Sequence, residues 1–229
     1  KKLDLKIKGG TDVLWSPSFD YTQHVLREAF SRMGIEFSLE LCKRGYYPKG
    51  GGEINLHVKP SKIKSISLTK RKTKTIKIIC TFSKLLEEDI KNKVEEVKEK
   101  LVERNFIVNT QIKNQDAIDS GASLLIFSID ENSINGIDGL YDKKTKKFSL
   151  DLNKFYKNSL GVDENLVDML VPVASLGPEK TIFHIKSISK HLETNLFVTS
   201  KITGCKYGIG KINDGFEVII EGVSYSSIK

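Results

Sequence analysis

Two stretches of this 229-residue chain carry the same order of hydrophobic periodicities, one near each end. Residues 3–8 (LDLKIK) alternate apolar and polar, the period of a strand with one buried face, and stop at Gly9-Gly10. Ser16, Ser18 and Asp20 then offer N-caps for a helical run from about Phe19 to Met33. Its apolar residues Val25, Leu26, Ala29, Phe30 and Met33 recur at helical spacing, and Gly34 supplies a stop. Ile35–Cys42 and Glu53–Val58 alternate again as two strands. The second stretch repeats the order. Thr181–Lys186 is a strand, Lys190–Ile202 a helix, and Cys205–Lys211 and Phe216–Glu221 a hairpin turning at Asn213-Asp214-Gly215. Two β–α–β–β units predict an internally repeated α/β architecture.

Between the units the texture changes. Thr69–Lys77 is a basic run, and Glu87–Arg104 reads as a charged helix with a narrow stripe of Ile90, Val94, Val97 and Leu101. Strands Ile107–Lys113 and Ser123–Ile129 follow, then a polar stretch Asp130–Lys147. This block has its own helix and strands. It is expected to form a small α/β domain over residues 71–154, inserted into a repeat-built domain of residues 1–70 and 155–229. The basic run is read as a solvated junction, with direct nucleic-acid contact as the alternative.

Charge and cysteine narrow the function classes. Lys plus Arg is 37 against 29 Asp plus Glu, a net charge of +8 that favours polyanionic partners such as nucleic acid or nucleotides. No stretch approaches the ~18 apolar residues of a membrane span. Cys42, Cys80 and Cys205 are odd in number and far apart, which argues against a disulfide framework or zinc site. Buried thiols in a reducing, cytoplasmic compartment are expected. The chain starts at Lys1 and carries no signal-peptide core, so it reads as processed or truncated.

Three segments carry candidate chemistry. In Arg44–Glu53 (RGYYPKGGGE), three consecutive glycines allow either positive φ in a hairpin loop or close approach of backbone amides to an anion. Arg44 and Lys49 would add positive charge for phosphate. The segment lacks the ending of a P-loop and the spacing of a dinucleotide fingerprint. His24 lies in the first helix, and His57 and His184 lie on strands, where packing or surface roles are expected. His191 differs, because Ser189-Lys190-His191-Leu192-Glu193-Thr194-Asn195 opens the last helix. Exposed amides there favour phosphate, and neutral imidazole is a competent nucleophile. Asp163 caps a helix that runs to Ala174, and Asp168, one turn in, faces either solvent or a site.

Together these segments resemble the RNA 3′-terminal phosphate cyclase family. Arg44–Gly52 satisfies that family's signature of Arg or His, Gly, two variable residues, Pro, one variable and three Gly. Gly9-Gly10-Thr11-Asp12, with Trp15-Ser16-Pro17 and Asp20-Tyr21, looks like the segment the family carries just upstream. Asn165-Leu166-Val167-Asp168-Met169 is similar to its nucleotide-binding Tyr-Leu-Ala-Asp-Gln stretch, and His191–Asn195 to the segment bearing its adenylylated histidine. The resemblance implies a fold like that of enolpyruvyl transferases, with a small α/β insert. It implies ATP and magnesium or manganese as cofactors and RNA 3′-phosphate ends as partners. His191 would be the nucleophile, Asn165, Leu166, Val167, Asp168, Met169 and Pro17 would bind nucleotide, Asp168 would orient the histidine or a metal, and Arg44 and Lys49 would steady phosphate. The matches correspond to about the last two-thirds of a complete member, without its first β–α–β–β unit. Asn165 and Met169 depart from the family's Tyr and Gln. The alternatives are a non-catalytic relative acting in ribosome biogenesis and, more remotely, an enolpyruvyl-transferase-like enzyme.

Overall fold

The computed structural model describes residues 2–224, which form a mixed α/β fold of three sheets. Alternation makes β1 (Leu3–Gly9), β2 (Phe37–Lys43) and β3 (Gly52–Val58), ordered β1-β3-β2 with both pairings antiparallel. Near the other end, β10 (Lys180–Ile185), β11 (Lys206–Ile212) and β12 (Gly215–Glu221) pair as β10-β12-β11, again antiparallel throughout. First strand against last and last against middle, with a helix after the first strand, is the same topology twice. The short β4 (Ser67–Leu68) adds a parallel partner to β10.

Between β1 and β2 the chain is helical over α1 (Phe19–Tyr21), a π-helical stretch Thr22–Leu26 and α2 (Arg27–Arg32). Ser18 caps it, its Oγ accepting from Tyr21 N at 3.2 Å, and Gly34 ends it at φ +79°. The π stretch is invisible in the periodicity, because Tyr21, Val25, Ala29 and Met33 all remain fully buried.

The third sheet, ordered β6-β5-β7-β8-β9, comes from β5 (Thr75–Ser83), β6 (Ile107–Asn114), β7 (Gly121–Asp130), β8 (Ser133–Asp142) and β9 (Lys147–Phe148). Period-two alternation splits its side chains. Ile76, Ile78, Cys80, Leu124 and Ile126 form a core with Ile90, Val94 and Leu101 of α3 (Glu87–Val102). Ile79, Leu125 and Phe127 instead join the core of the first helical run, α5 (Glu164–Ala174) and α6 (Lys190–Thr203). Between β9 and α5, α4 (Leu152–Tyr156) is capped by Asp151.

Two sequence expectations change. Asp130–Lys147 holds the ten-residue strand β8 where a polar stretch is expected, and Ser133, Ile134 and Asn135 in it are buried. Its small and amide residues are there for fit. A Cβ on Gly136 would sit 2.8 Å from Val25 Cγ2, and buried Asn135 donates to Leu160 O at 3.0 Å and accepts from Asn158 at 2.6 Å. Cys80 and Cys205 are buried, but Cys42 is exposed beside the irregularity that shifts register between Leu41 and Lys43. Among the described residues no helix is long and apolar enough to cross a membrane.

Candidate active site

Three helix starts converge on one cleft. Asp163 Oδ1 accepts from Asn165 N at 3.0 Å and Leu166 N at 2.9 Å, capping α5, while Oδ2 accepts from Gly136 N at 2.8 Å and ties the cap to β8. Tyr21 Oη also donates to Asp163 Oδ1 at 2.8 Å, joining the first helical run. Ser189 caps α6, accepting from Leu192 N at 3.0 Å, which sets His191 at the second helical position with its side chain exposed. Ser18 N donates to Asp138 Oδ2 at 2.6 Å, fixing the start of α1 against β8. Asp163→Ala removes acceptors for four donors at once. It is expected to lower unfolding free energy by about 3 kcal/mol, the sum of a lost cap and stranded buried donors, measurable by urea denaturation.

The cleft between these starts has a volume of about 430 Å³ and is lined by Pro17, Asp138, Asn165, Asp168, Met169 and His191, with Trp15 and Ser16 at its edge. Asp168 is half-buried and linked to α6, because Asn195 Nδ2 donates to its Oδ1 and to its backbone carbonyl, both at 3.2 Å. Burial pushes the Asp168 carboxyl above the usual carboxylate range, against the pull of Asn195 and His191. Asp138 is pushed up by burial too, with the Ser18 amide opposing. The site therefore combines an exposed imidazole and two carboxylates beside the positive N-terminal ends of α5 and α6, a combination suited to nucleophilic attack on a phosphate.

Not every expected residue reaches it. Asn165, Asp168, Met169, Pro17 and His191 are brought together, but Leu166 and Val167 turn inward and are 0% and 1% exposed, in the core shared with α6. They follow the helix's buried stripe and offer no side chain to a nucleotide. Arg44 is also redirected, and phosphate contact by its side chain is corrected to a buried ion-pair role. Its side chain is 1% exposed, with Nη1 2.8 Å from Asp12 Oδ1 and Nη2 3.1 Å from Asp20 Oδ2. Nε donates to Gln115 Oε1 at 3.0 Å, so its donors are spent inside the protein. Lys49 is exposed near Asp119 and lies outside the cleft. The glycine loop has the left-handed angles of a special hairpin. Gly51 has φ +68°, and its Cβ would lie 2.3 Å from Ile118 Cδ1. The other histidines lie outside this cleft: His24 stacks on Phe127 with centroids 5.5 Å apart, His57 meets Asp4 at 2.7 Å, and His184 meets Glu217 at 2.9 Å.

Asp138 is the cleft residue that the sequence conceals, since it belongs to the strand hidden in the polar stretch. A larger cleft of about 740 Å³, lined by Gln23, His24, Arg27 and Lys77 among others, contains none of these cleft residues.

The profile of the RNA 3′-terminal phosphate cyclases matches residues 1–209. The chain belongs to the RNA 3′-terminal phosphate cyclase family. It is 33% identical over 223 residues to the RNA 3′-terminal phosphate cyclase of Methanosarcina barkeri, covering 96% of this chain and 66% of that one. The cyclase of Methanococcoides burtonii is 31% identical with the same coverage. That of Trichormus variabilis is 29% identical over 219 residues, covering 91% of this chain and 61% of the relative. This family member thus spans about two thirds of the length of the curated relatives it matches.

Proposed function

We propose that this chain carries the nucleophile-bearing part of an ATP-dependent RNA 3′-phosphate cyclase. The observation that supports this most is the convergence of His191, Asp168 and Pro17 in one cleft, from segments far apart in sequence. A ring nitrogen of His191 attacks the α-phosphorus of ATP. A P–N bond forms, the bond to the β-phosphate bridging oxygen breaks, and pyrophosphate leaves. An oxygen of the RNA 3′-phosphate next attacks that phosphorus, breaking P–N and leaving AMP in an anhydride with the RNA end. The adjacent 2′-hydroxyl attacks the 3′-phosphorus, loses its proton and displaces AMP, closing a 2′,3′-cyclic phosphate. Holding that hydroxyl next to its target makes the last step intramolecular.

Among the described residues no three His, Cys, Asp or Glu side chains form a metal cage. Magnesium held by one or two carboxylates and substrate phosphates needs none, so Asp168 and Asp138 fit such an ion. When bound, it would offset charge on the triphosphate and departing pyrophosphate. Asp168, anchored by Asn195 in the same cleft as His191, would orient the imidazole or the ion, and the positive N-terminal ends of α5 and α6 would favour the phosphate charge.

Asn165 and Met169, which stand where the family has Tyr and Gln, are the feature that favours a second, non-catalytic role in ribosome biogenesis. Incubation with α-labelled ATP and magnesium or manganese separates the two. The cyclase is expected to form an acid-labile, alkali-stable adduct, and to cyclise an RNA 3′-phosphate once any further segment needed is supplied. A protein that forms neither product is not a cyclase.

A further inference from the structure

Trp15 is the sole tryptophan of the chain and is 100% exposed, with φ at +68°. A bulky residue in left-handed backbone is an outlier, held only where its surroundings impose it. Both ends of its loop are clamped. On one side Thr11 N and Asp12 N donate to Gly45 O at 2.9 and 3.2 Å, and Asp12 is locked to Arg44. On the other, Phe19 N donates to Thr11 O at 3.1 Å and Ser18 N to Asp138. Of the five residues between these anchors, Leu14, Trp15 and Ser16 are exposed, and the indole borders the His191 cleft with nothing packed on it. Asn165, Met169, Asp168 and Asp138 give the cleft hydrogen bonds, charge and a thioether. Its other ring, His191, is the nucleophile. The cleft therefore has phosphate-directed groups inside and one unused π face at its rim.

We propose that Trp15 is the nucleobase platform of this site, stacking on the base of the nucleotide whose phosphate reaches His191. This rests on the cyclase reading for the identity of the ligand, although the stacking chemistry is that of any base. Two sources present that chemistry, the adenine of ATP and the terminal base of the RNA.

The sole tryptophan makes the test direct. Titration of the full chain with AMP or ATP is expected to quench Trp15 emission saturably, whereas pyrophosphate and ribose 5-phosphate leave it unchanged. Quenching by an RNA 3′-phosphate oligonucleotide without nucleotide would assign the platform to the RNA base instead and still support stacking. Trp15→Ala is expected to weaken nucleotide binding, followed by equilibrium dialysis, about 5- to 150-fold, the range of one base–aromatic stack. Trp15→Phe should restore most of it. Emission unmoved by saturating nucleotide and RNA, or unchanged binding by Trp15→Ala, overturns the inference. Adduct formation with an unquenched Trp15 removes the platform alone. Quenching without any adduct retains the platform and removes the cyclase reading.

Discussion

Arg44→Met is expected to lower the unfolding free energy by about 3–5 kcal/mol, the scale of removing one partner from a buried ion pair. At about 2–4 °C per kcal/mol for a chain this size, the melting temperature should fall by about 6–20 °C. The cause is what methionine leaves behind. Asp12 is 0% exposed and Asp20 5%, and both lean on the guanidinium. Burial already holds the Asp12 carboxyl above the ordinary range, with Arg44 as the main opposing influence. Without Arg44 its folded pKa rises further above the unfolded value. Such a group stabilises the fold below the unfolded pKa and loses that contribution as pH climbs through the folded one. The gap between wild type and variant should therefore widen from pH 5 to pH 8. Urea denaturation at several pH values measures it, and a gap that stays constant as pH rises would show the carboxylates to hold the same protons in both proteins.

His191→Ala should bring adenylylation down to background, a loss on the order of 10⁶ if imidazole is the nucleophile. Its side chain is exposed and only the second residue of α6, so the fold should hardly respond. Far-UV dichroism and the melting temperature should match the parent, which separates lost chemistry from lost structure. An adduct of undiminished yield on His191→Ala would place the nucleophile elsewhere. Asn195→Ala should act more mildly, by releasing Asp168 from α6.

The elements legible in the sequence are those where one face is apolar and the other charged. The strands of both β–α–β–β units, α3, α5 and α6 agree with their patterns to within a residue or two. So do the caps Ser18 and Asp163, whose chemistry is local. What stayed hidden depends on distant partners. β8 reads as polar because Asn135 is satisfied by Leu160 and Asn158, and because Gly136 makes room for Tyr21 and Val25. Arg44 looks like a free cation until the fold brings Asp12 and Asp20 to it. Leu166 and Val167 sit inside a recognisable nucleotide segment, yet the helix turns them to the core. In the candidate site, therefore, motif order located the cleft, while helical phase decided which motif residues face it.

In the first helical run, phase has a mechanical source of its own. Tyr21, Val25, Ala29 and Met33 are spaced four apart, and on a regular α-helix each such step drifts about 40°, so the last would lie about 120° round from the first. The wider π turn at Thr22–Leu26 winds back part of that drift, which keeps all four against one core. The stretch works as a vernier, one added residue tuning the rotation between the two halves of a rod. Removing a single residue there would tidy the helix and rotate Ala29 and Met33 by about 100°, out of the core. The irregular turn is thus what lets the segment behind Trp15 and Pro17 stay docked from end to end.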